Sequence, residues 1–421
     1  MCGSGVLIMS TQKITVIGAG IVGICCALHL QRLGYRVTVV DQRPPGDATS
    51  YGNACMITDS SLVPLATPGI TWEGLGMLLN PSGPLFIRPR YALQIVPWLW
   101  RFWRSADDAQ ARAGAQALGD LLRGALAEHH ELADNTSASR WLGDEPSLFV
   151  YRSAAELEHD AYTWTLRRAN GVRHEWLDGP QLRAREPALA ADYWRAAVLL
   201  DHGRAVDPAE LTKAHAEWLQ RGGGDIRQAR VQALEIRDGQ VVRLLTDDEP
   251  LAVEQLVIAG GAWSAGLAGQ LGDRIPLESE GGYHLTFTDP GLELRHTLMD
   301  SGAKVAIAPM AEGIRIGGMV EFAGICEETL PQRSALLRRV IKRILPAIRT
   351  EAYTEWRGNR PSLPDSLPVI DRASQVNNVV YAFGHQHIGL SSAPKTGKLV
   401  AQLITGQPPA IDLTPFRVGR F

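Results

Sequence analysis

Three glycines and an acid, early in the chain, stand at a spacing that could do chemistry. Gly18, Gly20 and Gly23 follow one another in G-x-G-x-x-G order within "ITVIGAGIVGICCALHL", and Asp41 comes 18 residues after the last of them. Each glycine has a mechanical task. The first permits a tight turn, the second lets backbone approach a pyrophosphate, and the third lets a helix pack on a strand. The phosphates of a dinucleotide would then sit at a helix N-terminus, beside Ile21 and Val22, where free N–H groups and the dipole favour negative charge. Asp41 is placed to accept hydrogen bonds from a ribose hydroxyl. The stretch alone does not decide which dinucleotide.

Two strands and a helix must position these residues. "KITVIGAG" reads as a buried parallel strand, because Ile14, Val16 and Ile17 are apolar and β-branched. A helical pattern runs from Ile21 to about Leu33 and is stopped by Gly34. "RVTVVD" is the second strand and ends on Asp41. The following loop, "QRPPGDATSYGNACMI", is rich in Pro, Gly, Ser and Asn and suits cofactor or active-site contact; its composition also fits a plain surface loop.

At 421 residues the chain is too long for one simple core, so two domains are expected. With 45% hydrophobic residues, 21% charged and a net charge of −3, the composition speaks for a globular protein and against nucleic acid as a partner. The five cysteines (Cys2, Cys25, Cys26, Cys55, Cys326) form no metal spacing and no even disulfide framework. No metal and a cytoplasmic location are therefore expected, with peripheral contact at an inner membrane left open. No run approaches the roughly 20 uncharged apolar residues of a membrane span. "MCGSGVLIMS" lacks a basic n-region and reads as a loose leader before the first strand.

Residues 60–150 lose the α/β alternation. There Trp98, Trp100 and Trp103 are expected on a core or domain-interface helix rather than at a membrane or redox partner. Further on, Asp207 is an expected N-cap with Pro208 at the first helical position, and glycines 222 to 224 end that helix. Asp238-Gly239 reads as a hairpin turn, and "QLVIAGGAWS" as a strand returning to the first sheet. Residues 275–360 are strand-rich, with one helix around "RSALLRRVIKRIL", and the tail "NVVYAFGHQHIGLSSAPKTGKLVAQLITG" is strand, turn, helix. These segments predict a discontinuous first domain (11–80, 151–270, 365–421) interleaved with a second (81–150, 271–364).

The ordered set "VIGAGIVGICCALHL", "TSYGNA", "VDPAEL", "LVIAGGAWS", "GGYHLTF", "IRIGGM", "WRGNRPSLPDSLPVI" and "GHQHIGL" resembles the D-amino-acid oxidase superfamily of flavoproteins, and within it the bacterial FAD-dependent D-amino-acid dehydrogenases. The resemblance covers nearly the whole length. It implies an α/β fold in which a Rossmann-like FAD-binding domain is interleaved with an antiparallel-sheet α+β substrate domain. It also implies that Gly18, Gly20 and Gly23 line the pyrophosphate, Asp41 and Gln42 the ribose, and Arg43 the adenine end. Ser50, Asn53 and Ala54 approach the phosphate and isoalloxazine, Val231 meets adenine, and Gly260 and Gly261 let the second strand pass close. Gly384, His385, Gln386, His387, Ile388, Gly389 and Leu390 border the flavin's pyrimidine edge. Where the family carries glycine after Asn-Ala, this chain has Cys55. No cysteine follows Cys326, so FAD is expected to be non-covalent.

Oxidising an amino acid at its α-carbon requires the α-hydrogen to face flavin N5 and the amine to be neutral; no general base is obligatory. The resemblance makes Arg360 the carboxylate clamp, whose planar fork can make two charge-assisted hydrogen bonds. It gives Tyr283 a second carboxylate contact, and Tyr51 is a candidate lid or substrate contact. His387 stands where glycine-oxidising relatives carry a second arginine. The motifs are similar to enzymes acting on D-proline and cis-4-hydroxy-D-proline. The expected electron acceptor is a quinone or respiratory-chain carrier. A sarcosine- or glycine-type amine oxidase releasing hydrogen peroxide, and a flavin subunit of a multi-subunit complex, are the alternatives.

Overall fold

The computed structural model describes residues 12–70, 74 and 83–421, so the expected leader lies outside the described residues. The apolar β-branched runs form a six-stranded sheet in the order Asp225–Gln228, Arg36–Asp41, Lys13–Ile17, Gln255–Ile258, Val379–Phe383, Val369–Arg372. The first five strands are parallel and the last is antiparallel. From Lys13–Ile17 the chain goes to Arg36–Asp41 on one side and later to Gln255–Ile258 on the other. The strand order therefore reverses above Gly18 and Ala259, the place where open α/β sheets bind ligands.

Helices Ile21–Arg32 and Gly389–Thr405 pack together on one face of this sheet. Their approach requires glycine, since a Cβ on Gly397 would stand 2.6 Å from the Cys25 carbonyl oxygen. The other face is covered by the Val231–Arg237 and Gln240–Thr246 hairpin and helix Ser264–Gln270. Asp238 and Gly239 both have positive φ, as a two-residue hairpin turn demands. Asp207 caps helix Pro208–Arg221 by accepting from the Ala209 and Glu210 N–H groups at 2.8 and 3.1 Å.

The second sheet is mostly antiparallel, in the order Tyr353–Ser362, Glu278–Phe287, Gly313–Phe322, Val305–Met310, Leu298–Asp300, Ser147–Tyr151, Arg195–Leu199, His174–Asp178. Leu85–Ile87 adds to it beside Gly313–Phe322. This membership corrects the expected boundaries. Strands His174–Asp178 and Arg195–Leu199, assigned above to the first domain, belong to the second sheet, where Arg195–Leu199 pairs with Ser147–Tyr151 and His174–Asp178 pairs with Arg195–Leu199. Helices Asp108–Leu122 and Ala125–Ala133, assigned to the second, pack instead into the core behind the cofactor helices. Periodicity reports which face of an element is apolar, not which sheet covers it.

The tryptophan expectation also needs correction. On helix Val96–Arg104 only Trp98 is buried, stacked on Phe102 at 5.2 Å; Trp100 and Trp103 are exposed.

Candidate active site

A cavity of about 320 Å³ opens above the switch point, and much of its wall is glycine backbone. Gly18 has φ of +112°, and a Cβ there would lie 2.4 Å from the Ala259 carbonyl oxygen. Gly23 is not in the wall. A Cβ at Gly23 would stand 1.9 Å from the Gly18 carbonyl oxygen, so this glycine lets the helix rest on the turn. The Ser50 hydroxyl accepts from the Ile21 N–H at 2.9 Å, which brings the 48–53 loop over the helix N-terminus. Asp41 accepts from the Ala19 N–H at 2.7 Å and the Arg43 N–H at 3.0 Å. Burial raises its pKa, while these N–H groups pull it back down.

Of the residues expected to hold cofactor, the wall contains Gly18, Gly20, Ile21, Val22, Asp41, Gln42, Ser50, Asn53, Val231, Gly260, Gly261, Gly384, His385, Gln386, Gly389 and Leu390. Arg43, Ala54, His387 and Ile388 are outside it. Arg43 instead pairs with Glu327 and reaches over the Trp263 ring, which does line the cavity. His385 is buried against Thr396, at 3.1 Å, and burial pushes its pKa down to about 3. Two helix N-termini, at Ile21 and Gly389, meet at this cavity. The elongated wall, from Val231 and Gln232 past the Gly18 turn to Gly384, suits a dinucleotide with its phosphates over the turn. The backbone cradle that side chains would fill is the feature that fits FAD.

Beside this cavity lies one face of strand Glu278–Phe287. Direct pairing sets Glu280 opposite Arg360, Gly282 opposite Gly358 and His284 opposite Trp356. Arg360 Nη1 donates to Glu280 Oε1 at 2.9 Å and to the Met319 carbonyl at 3.0 Å. Its guanidinium lies over Gly282, where a Cβ would come within 2.4 Å. Glu280 accepts from the Ser362 hydroxyl at 3.2 Å, and Ser362 accepts from Gln386 Nε2 at 2.9 Å. A polar chain thus links Arg360 to the cavity wall. His387 is exposed yet set among protein groups: burial among them lowers its pKa, Glu280 raises it and Arg360 lowers it. His284 stacks on Trp356 at 5.0 Å, and Tyr51 stands 5.5 Å from His284 and 5.9 Å from Trp356. Trp356 fits only because Gly52 and Gly358 lack side chains.

Strand alternation turns Tyr283 to the opposite face, and this corrects its expected place beside Arg360. Tyr283 is buried and donates to Glu321, which also pairs with Arg88 and stands 3.7 Å from Arg357. Burial, then Glu321, pushes its pKa up to about 12. Arg360 is likewise not a free fork, because Glu280 occupies one of its nitrogens.

Sequence reasoning passed over Glu280, Trp356 and Arg315. Arg315 is buried, donates to the Tyr51 and Asn53 carbonyls at 2.7 and 3.0 Å, and fixes the 51–54 loop. An arginine inside the otherwise apolar run "IRIGGM" was the available signal. Cys55 has φ of +68°, in the left-handed region that favours glycine. Burial pushes its thiol up to about 11, so it stays protonated. Among the described residues no cluster of potential metal ligands occurs, and no helix is long and apolar enough to cross a membrane.

A protein named D-amino-acid oxidase, from Bradyrhizobium diazoefficiens, is 35% identical over 417 residues, covering 97% of this chain and 99% of its own. One named D-amino acid dehydrogenase, from Rhizobium johnstonii, is 30% identical over 421 residues, covering 97% of this chain and 100% of its own. Among solved structures, glycine oxidase from Bacillus cereus superposes with a TM-score of 0.75 at 20% identity, covering 98% of this chain and 99% of that one. L-proline dehydrogenase from P. horikoshii gives 0.74 at 18%, covering 98% of each. At such identities the structures speak for the fold alone. The family model for FAD dependent oxidoreductases (DAO) matches residues 13–403. The chain therefore belongs to this family of FAD-dependent oxidoreductases.

Proposed function

We propose that this enzyme oxidises D-amino acids at the α-carbon, including cyclic ones such as D-proline and cis-4-hydroxy-D-proline. It does so with non-covalent FAD and passes electrons to a quinone or respiratory-chain carrier. The names of the relatives at 35% and 30% identity support the substrate class. The observation that carries the reading is Arg360, a guanidinium pinned one residue from Pro361 of the cavity wall.

When bound, FAD supplies the two-electron sink for the pair that leaves with the α-hydrogen. The protein's part is positioning. Glu280 and the Met319 carbonyl fix the guanidinium plane through Nη1, so the remaining N–H donors meet a carboxylate with little freedom left to lose. His387, whose pKa is lowered by the protein groups around it, sets an imidazole rather than a second guanidinium beside the amine and leaves room for a ring. The amine lone pair forms the C=N bond as the α C–H bond breaks, and the surplus nitrogen proton goes to water. A linear imine then hydrolyses to a 2-oxo acid and ammonia.

A dye-reduction screen of D- and L-amino acids on the purified yellow protein tests this. D-amino acids should bleach the flavin under nitrogen and L-amino acids should not. Bleaching by amines lacking a carboxylate would remove the role of Arg360. The relative named an oxidase favours a second reading, in which oxygen is the acceptor. Peroxide release at the turnover rate would establish that reading.

A further inference from the structure

Pro394 stands inside helix Gly389–Thr405, in its second turn. Proline has no N–H to give, so the Leu390 carbonyl, four residues back, loses its helical donor. A second helix supplies one. His129, on helix Ala125–Ala133, is fully buried, and its Nε2 stands 2.8 Å from the Leu390 carbonyl oxygen. Its other ring nitrogen, Nδ1, has no partner among the described residues. A neutral imidazole carries one N–H, and burial pushes the pKa of His129 down to about 4. The carbonyl therefore fixes the tautomer: the proton is on Nε2, which donates.

The place of this bond ties it to the cavity. Gly389 and Leu390, the first two residues of the helix, are part of the cavity wall. The first N–H groups of a helix have no partner within it and carry its positive end. The Leu390 carbonyl and the Ser391 N–H belong to one peptide unit, so a donor on the first strengthens the second as a donor. Proline also removes one of the bonds that join this first turn to the rest of the helix, which leaves the turn the part most free to swing. His129 closes that gap from the side. Ser391 adds a second tie, its hydroxyl accepting from the Thr58 N–H at 3.0 Å.

We propose that His129 is a positioning residue for the flavin: it supplies the hydrogen bond that Pro394 withholds and so keeps the first turn of helix Gly389–Thr405 seated against the cofactor. It touches no substrate, and the inference does not depend on which amino acid is oxidised. It rests on FAD binding in this cavity alone.

The test is the dissociation constant of FAD from the purified holoenzyme, read from the fluorescence of flavin released on dilution, with thermal unfolding of the flavin-saturated protein beside it. His129→Phe keeps the ring's shape and loses the donor. It should raise the constant about tenfold to a hundredfold, the usual weight of one buried acceptor left unpaired. His129→Gln places an amide nitrogen near the position of Nε2 and should restore most of the affinity. Pro394→Ala returns the helical donor, so His129→Phe in that background should cost little, a coupling that a merely packed ring does not give. The double variant should fold even if His129→Phe alone does not. The proposal fails if His129→Phe binds FAD as the parent does, or lowers the melting temperature without moving the constant. It fails equally if His129→Gln loses as much as His129→Phe, if the loss is the same in the Pro394→Ala background, or if the double variant does not fold.

Discussion

On one side of strand Glu278–Phe287, Arg360 meets Glu280 and keeps donors to spare; on the other, Arg88 and Arg357 close on Glu321 together with Tyr283. The residue types are nearly the same, yet the surroundings differ. The first pair borders the cavity: Arg360 is partly exposed, and its chain of contacts runs through Ser362 to Gln386. The second is sealed beneath Arg333 and helix Pro331–Ile344, with Glu321 and Arg357 both buried. An arginine that can still bind something and an arginine that only completes a core are thus separated by the pleat of one strand.

The largest expected effect breaks the sealed side. Glu321→Ala leaves two buried guanidiniums short of their carboxylate and should cost about 3–5 kcal/mol of stability, read from the denaturant midpoint. The turnover of the protein that remains folded should be unchanged; a fall in kcat/KM without a stability loss would place Glu321 on the working side. Arg360→Ala breaks the open side. It should lower kcat/KM for a D-amino acid about 100-fold, equivalent to two charge-assisted hydrogen bonds, with flavin content intact. Unchanged steady-state kinetics would remove the carboxylate clamp.

Tyr283→Phe sharpens the comparison. It takes one donor from Glu321 and should cost about 1–3 kcal/mol in stability while leaving KM alone. A raised KM with unaltered stability would return Tyr283 to the substrate. The smallest effect is expected at Cys55, where Cys55→Gly relieves a left-handed backbone of about 1 kcal/mol and gives up a buried thiol of similar worth. Thermal melting should move little, and the flavin spectrum not at all; a spectral shift would mean the thiol touches the ring.

Much of the cavity wall was legible because its signals are local. Gly18 needs its positive φ, Asp207 caps the helix it precedes, and Asp238-Gly239 makes its own turn. The substrate side was less legible. In "ESEGGYHLTF" both faces of the strand are buried, so hydrophobicity does not say whether Tyr283 or His284 turns toward the cavity. Likewise "VPWLWRFW" presents aromatic rings all round, and only Phe322, from a distant strand, decides that Trp98 goes inside while Trp100 stays out.

By itself the sequence determined the dinucleotide turn, the helix caps and the hairpin, because backbone sterics and unsatisfied N–H groups act over a few residues. Tertiary structure alone decided that Glu280 holds Arg360 across 80 residues and that strands His174–Asp178 and Arg195–Leu199 serve the second sheet. Pairing between distant strands chooses a partner and a face through contacts that no local pattern of residues encodes.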